Sequence, residues 1–122
     1  MSNGAAGLPP DFAGRLEATH DTPITFSVEV WRDNPLWTMT LSGLTASGEA
    51  VSIELGKNAS PFQVTHAGLS VGHYVLQIVA TLTDPQGRLE LRATSTIDDE
   101  SRLLRTRAGQ PVRMDAMPVL VV

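Results

Sequence analysis

Apolar and polar residues alternate one for one through much of the chain. In residues 24–31, ITFSVEVW, the side chains of Ile24, Phe26, Val28 and Val30 fall on one side. Thr25, Ser27, Glu29 and Trp31 fall on the other. A period of two marks a strand with one buried face. The same reading groups Trp37, Met39 and Leu41, then Val51, Ile53 and Leu55, then Phe62 and Val64. A longer stretch, residues 68–97, groups Tyr74, Leu76, Ile78, Ala80 and Leu82, and after a turn Leu89, Leu91, Ala93 and Ile97. Residues 15–20, RLEATH, are a candidate first strand. No segment of ten or more residues has clean helical spacing. Short strands recurring every ~8–12 residues predict an all-β sandwich or barrel.

The turns have their own chemistry. Asp33-Asn34-Pro35 is a turn signal. Asp84-Pro85-Gln86-Gly87 joins two alternating runs. Proline there pre-sets one backbone angle and glycine admits a positive φ, so the spacing predicts a tight antiparallel hairpin. Just before it stands Leu69-x-x-Gly72-x-Tyr74, which holds the only tyrosine of the chain.

That arrangement resembles the F–G hairpin of fibronectin-type-III and bacterial immunoglobulin-like domains, over residues 66–97. In such sandwiches a tyrosine near the start of the penultimate strand hydrogen-bonds back to the preceding corner. The resemblance implies an immunoglobulin-like antiparallel β-sandwich of about 7–8 strands with N- and C-terminal extensions. It gives Tyr74 the corner role and makes Trp37 the inner tryptophan of strand C. It is nearly silent on function, because the architecture hosts many roles.

A minimal sandwich of this kind accounts for residues 15–97. Residues 1–14, rich in Gly, Ala and Pro, then form an N-terminal arm. Residues 98–122 form a C-terminal extension. Within it, residues 98–107, DDESRLLRTR, suit one helical turn, with acids at its front, or a strand or loop. The apolar end, residues 118–122, needs a strand partner, either in its own sandwich or at a neighbour's sheet edge.

Composition narrows the chemistry. The chain has 122 residues, one ordinary domain, with a net charge of −4 and no cysteine. That excludes disulfides, thiolate metal sites and a cysteine nucleophile. Arg102, Arg105 and Arg107 follow Asp98, Asp99 and Glu100, which reads as a solvated charged segment rather than a nucleic-acid patch. No apolar run reaches the ~18 residues that span a bilayer. The first residues lack the charged and apolar regions of a signal peptide, so the expectation is a protein made in the cytoplasm. His20, His66 and His73 have no metal-ligand spacing, and the acidic triplet lacks a calcium-loop ladder. Trp31, facing away from the core residues of its strand, is a candidate contact or sugar-stacking platform, or a side chain covered by the arm or the tail.

These features predict a non-enzymatic structural protein without cofactors. It would bind other structural subunits, copies of itself included, through its terminal arms. The layout is similar to that of small virion proteins of tailed phages, in head decoration or in the tail and baseplate. The candidate interaction residues are Leu8, Pro9, Pro10 and Phe12 in the arm, Trp31, and Met117, Pro118, Val119, Leu120 and Val121 in the tail. The rival expectation is a module that binds carbohydrate or a cell surface through Trp31 and nearby loops.

Overall fold

A computed structural model describes residues 14–33, 35–58, 61–105 and 112–122, the side chains of 112–115 excepted. These residues form nine strands and no helix. They are β1 (Leu16–Ala18), β2 (Ile24–Trp31), β3 (Trp37–Thr45), β4 (Ala50–Lys57), β5 (Phe62–His66), β6 (Gly72–Thr81), β7 (Arg88–Thr94), β8 (Asp99–Arg105) and β9 (Val112–Val121). Two sheets pack face to face: a five-stranded sheet ordered β1-β9-β6-β3-β4 and a four-stranded sheet ordered β5-β2-β7-β8. The protein is an all-β sandwich.

The period of two decides which side chains fill it. Ile24, Phe26 and Val28 of β2 meet Trp37, Met39 and Leu41 of β3 and Tyr74, Leu76, Ile78 and Ala80 of β6 in one buried cluster. Leu89, Leu91 and Ala93 of β7 join them. Edge-on packing of Trp37 against Phe62, with ring centroids 5.3 Å apart, ties β3 to β5 across the two sheets. Ile97 departs from the expected pattern: it is 59% exposed, in the turn after β7.

Two expectations meet the structure with different results. Tyr74 Oη donates a 2.8 Å hydrogen bond to the carbonyl of Ser70, the corner bond expected of it. The turn at Asp84–Gly87 is also present, closed by a 2.9 Å bond from the Gly87 amide to the Asp84 carbonyl. It does not make a hairpin. β6 pairs with β3 and β9, whereas β7 pairs with β2 and β8 in the other sheet. Alternation tells which residues of each run face inward, and both runs do face the same core. It carries no information on whether that core is shared side by side or from opposite sheets. The turn is therefore a corner between sheets. It is braced by Asp33, whose Oδ2 accepts the amides of Thr83 and Asp84 at 2.9 and 3.0 Å. Gly87 is required there, since a Cβ would stand 2.6 Å from that carboxylate oxygen.

Residues 98–122 contribute two strands. The 98–107 segment forms β8 up to Arg105, not a helical turn. β9 lies inside the five-stranded sheet, antiparallel to β6 and parallel to β1. Of the two places open to the apolar tail, the structure gives it the one in its own sandwich. Met117, Val119 and Val121 are core residues, each at most 1% exposed.

Candidate functional site

The register places the outward side chains in rows. Across the five-stranded sheet these rows read Leu120–His73–Leu44–Ala50, then Pro118–Val75–Ser42–Ser52, then Ala116–Gln77–Thr40–Glu54. Val79, Thr38 and Lys57 follow. Charge on this face sits on or beside the edge strands among the described side chains: Arg15 and Glu17 at β1, Glu54 and Lys57 on β4. The inner strands β9, β6 and β3 show small, polar uncharged or apolar groups, with His73 among them. Leu44, Val75 and Val79 are 55%, 42% and 41% exposed. A shallow depression of about 500 Å³ opens between Arg15, His73, Val75, Ala116, Pro118 and Leu120.

The backbones of this sheet approach closely at one point, and the β3–β4 register shifts once, between Met39 and Thr40. Gly43 lies where β3 approaches β6, and a Cβ there would collide with the carbonyl oxygen of His73. The free edge of the sheet at β1 is covered. The Glu17 amide donates to Asp98 Oδ2 at 2.9 Å, and Ser95 Oγ donates to the Glu17 carbonyl at 2.6 Å. Ser95 and Asp98 belong to the turn between β7 and β8. That turn occupies the backbone groups another chain would need for strand addition. Next to it, Arg102 Nη2 donates to the Gly14 carbonyl at 2.8 Å. This side of the sandwich offers little for edge pairing.

The four-stranded sheet differs. Its rows read Trp31–Arg88–Arg105, Glu29–Glu90–Leu103, Ser27–Arg92–Ser101 and Thr25–Thr94–Asp99. Charges occupy its inner strands as well as its edge. Arg92 and Asp99 form a bidentate pair, Nε to Oδ1 at 2.9 Å and Nη2 to Oδ2 at 2.5 Å. The hydrogen bond from Arg92 holds the Asp99 carboxyl below the usual carboxylate range, and the Arg92 charge adds to it.

The sequence-derived candidates separate on these surfaces. Leu8, Pro9, Pro10 and Phe12 lie outside the described residues. Met117, Val119 and Val121 are turned into the core and present no contact surface. Pro118 and Leu120, their outward neighbours, line the depression on the five-stranded face, beside Arg15. Trp31 is half-buried, and the guanidinium of Arg88 lies 4.8 Å from its ring centroid. One ring face is thus occupied by the protein's own cation, and the arm lies outside the described residues. Sequence reasoning passed over Leu44, Val75 and Val79. Their signal was available: each breaks the alternation by being apolar at an outward position.

The other polar clusters are dispersed. His20 Nδ1 lies 3.3 Å from the Val122 carbonyl oxygen, His73 is on the outer face, and His66 Nδ1 is buried on β5 with no partner. Asp98, Asp99 and Glu100 each turn to a different partner: the Glu17 amide, Arg92, and Arg102 at 3.9 Å. Among the described residues no group of three or more His, Cys, Asp or Glu could hold a metal ion. No helix among them is long and apolar enough to cross a membrane.

Comparison with known proteins finds no matching family model, no matching curated protein and no matching solved structure. The functional reading therefore rests on geometry.

Proposed function

We propose that this protein is a non-enzymatic assembly module of immunoglobulin-like type, which binds neighbouring structural subunits through the outer face of its five-stranded sheet. The observation that carries the reading is the separation of charge: among the described side chains, the inner strands of that face show uncharged groups and His73, while the opposite face carries charged rows. Depletion of charge at the centre with polar groups at the rim is the composition of a protein contact surface. Size agrees. Four strands of eight to ten residues and one of three, spaced about 4.8 Å apart, make a face of roughly 600 Å². A standard interface buries about 800 Å² per partner. The Tyr74–Ser70 corner bond supports the immunoglobulin-like kinship. A place in a virion is the narrower form of the proposal, supported by layout alone.

Sedimentation of the purified chain over a wide concentration range, alone and with candidate shell or tail proteins, tests this. Self-association or partner binding that weakens at least tenfold in Val75→Lys/Val79→Lys supports it. A monomer that binds nothing through this face, or binding indifferent to both lysines, overturns it.

A further inference from the structure

Among the described side chains, His73 is the single titratable group at the outward positions of β3, β6 and β9. It is exposed, with Leu120 and Leu44 as its cross-strand neighbours. Val71 and Val75, both exposed, flank it along the chain. We propose that two copies of this chain pair through the outer faces of their five-stranded sheets, and that protonation of His73 releases them. The proposal rests on the assembly reading of this face and adds its partner, a second copy, and its control by pH.

Three observations carry the assignment. First, the His73 ring makes no hydrogen bond or ion pair among the described residues. In the free chain, water solvates either form of the imidazole. Between two apolar surfaces the charged form is costly, because it loses that water and gains no partner. An imidazole changes its charge between pH 5 and pH 8. The free chain therefore takes up the proton more readily than the pair, and acid shifts the equilibrium toward free chains. Second, the charged groups around His73 do not reverse that sign. Arg15 lines the same depression, and Glu17 stands opposite Leu120, one strand beyond it. Their charged atoms are 3.8 Å apart, so their fields at His73 largely offset each other. Glu49 lies in the turn after β3, and His20 sits at the Val122 carbonyl beyond the end of β9. Third, the rims suit a second copy. Arg15 and Glu17 stand at β1, Glu54 and Lys57 on β4. Each rim carries both signs, so a copy of the chain brings a base toward each acid. A two-fold contact covers His73 of both copies, and the effect of protonation counts twice.

Sedimentation equilibrium at pH 7.5, 6.5 and 5.5, at constant ionic strength, tests this on the wild type, His73→Gln and Val75→Lys/Val79→Lys. The wild-type dissociation constant should rise at least tenfold from pH 7.5 to pH 5.5. That of His73→Gln should change less than threefold over the same range, whatever its absolute value. In the wild type the His73 ring resonances should titrate at lower pH in concentrated protein than in dilute protein. Should His73→Gln fail to fold, that comparison decides by itself. Association that is flat or tighter in acid, an equal acid loss in His73→Gln, or one titration midpoint at both concentrations would overturn the proposal. Association that the two lysines break and pH leaves alone overturns the His73 control and keeps the assembly reading. A wild type that stays monomeric at pH 7.5 overturns the pairing of copies, and binding of a shell or tail protein through the same face would then keep the assembly reading.

Discussion

The sandwich has two outer faces built on one core, and they were made in opposite ways. On the five-stranded face, charge stands on or beside the edge strands among the described side chains. On the four-stranded face, Arg88, Glu90 and Arg92 follow one another along the inner strand β7. A solvated face gains from charge and mixed polarity, which keep it soluble and unpaired. A face whose described inner-strand side chains carry no charge apart from His73 has less of that protection, which is useful where another surface covers it. The difference teaches where this chain has room for function: its core strands are alike in pattern, and the faces are not.

The largest expected effect breaks the common ground of both faces. Met117 is fully buried on β9, between β1 and β6. Met117→Ala should cost about 2–5 kcal/mol in urea denaturation, through lost burial and a residual cavity. Leu103→Ala, on an exposed position of β8, should stay within about 0.5 kcal/mol. Equal effects would mean that β9 is a peripheral strap and not a core strand.

The strands were legible because a sheet with one buried face writes its period directly into the chain. Their partners were not. Trp31 meets Arg88, and Leu16 meets Val119, through pairings that join distant parts of the chain, and no local pattern encodes them. The same gap turned Asp84–Gly87 into an expected hairpin. Proline and glycine specify a tight reversal, and a corner between sheets uses the same reversal. β8 was ambiguous for another reason: acids ahead of basic residues suit a helix start, and they equally suit an edge strand that pairs Asp99 with Arg92. Of the candidate site, Pro118 and Leu120 were found by their place in the tail. Leu44, Val75 and Val79 were passed over because an apolar residue at an outward position gains meaning only beside its cross-strand neighbours.

A smaller effect sharpens the reading of how the five-stranded face is anchored. Tyr74 leaves its ring in the core and its hydroxyl on the Ser70 carbonyl. Tyr74→Phe should cost about 1 kcal/mol, the net worth of one such bond. Burial raises the Tyr74 hydroxyl above its usual pKa, and Glu49 adds to the rise. A raised folded value means that the stabilising form is the protonated one. Its contribution is complete below the unfolded value, near 10, and is lost as pH climbs through the folded value. With one tyrosine in the chain, absorbance at high pH reads this group alone. A midpoint at or below that of the urea-unfolded chain would contradict the buried placement.

Removing charge from the other face should change less. Glu29→Gln with Glu90→Gln should leave stability within about 0.5 kcal/mol, since exposed substitutions seldom do more. It should leave self-association as it was. If instead these changes altered assembly as strongly as Val75→Lys, the two faces would not differ in role.

The smallest effect concerns the Arg92–Asp99 pair, whose side chains are about half exposed. Asp99 is held below the ordinary carboxylate range, first by the hydrogen bond from Arg92. A depressed folded value contributes stability above the unfolded carboxylate value, near 3.9, and loses it as pH falls through the folded one. Urea midpoints measured from pH 7 downward should therefore fall more steeply below about pH 4 for the wild type than for Asp99→Asn. Arg92→Gln should erase that difference, and high salt should shrink it, because solvent and ions reach both partners. An acid limb identical in wild type and Asp99→Asn would mean that the pair is only a crossing of two solvated side chains. The charged face would then be held together by its strands alone, and its charge would serve solubility and nothing else.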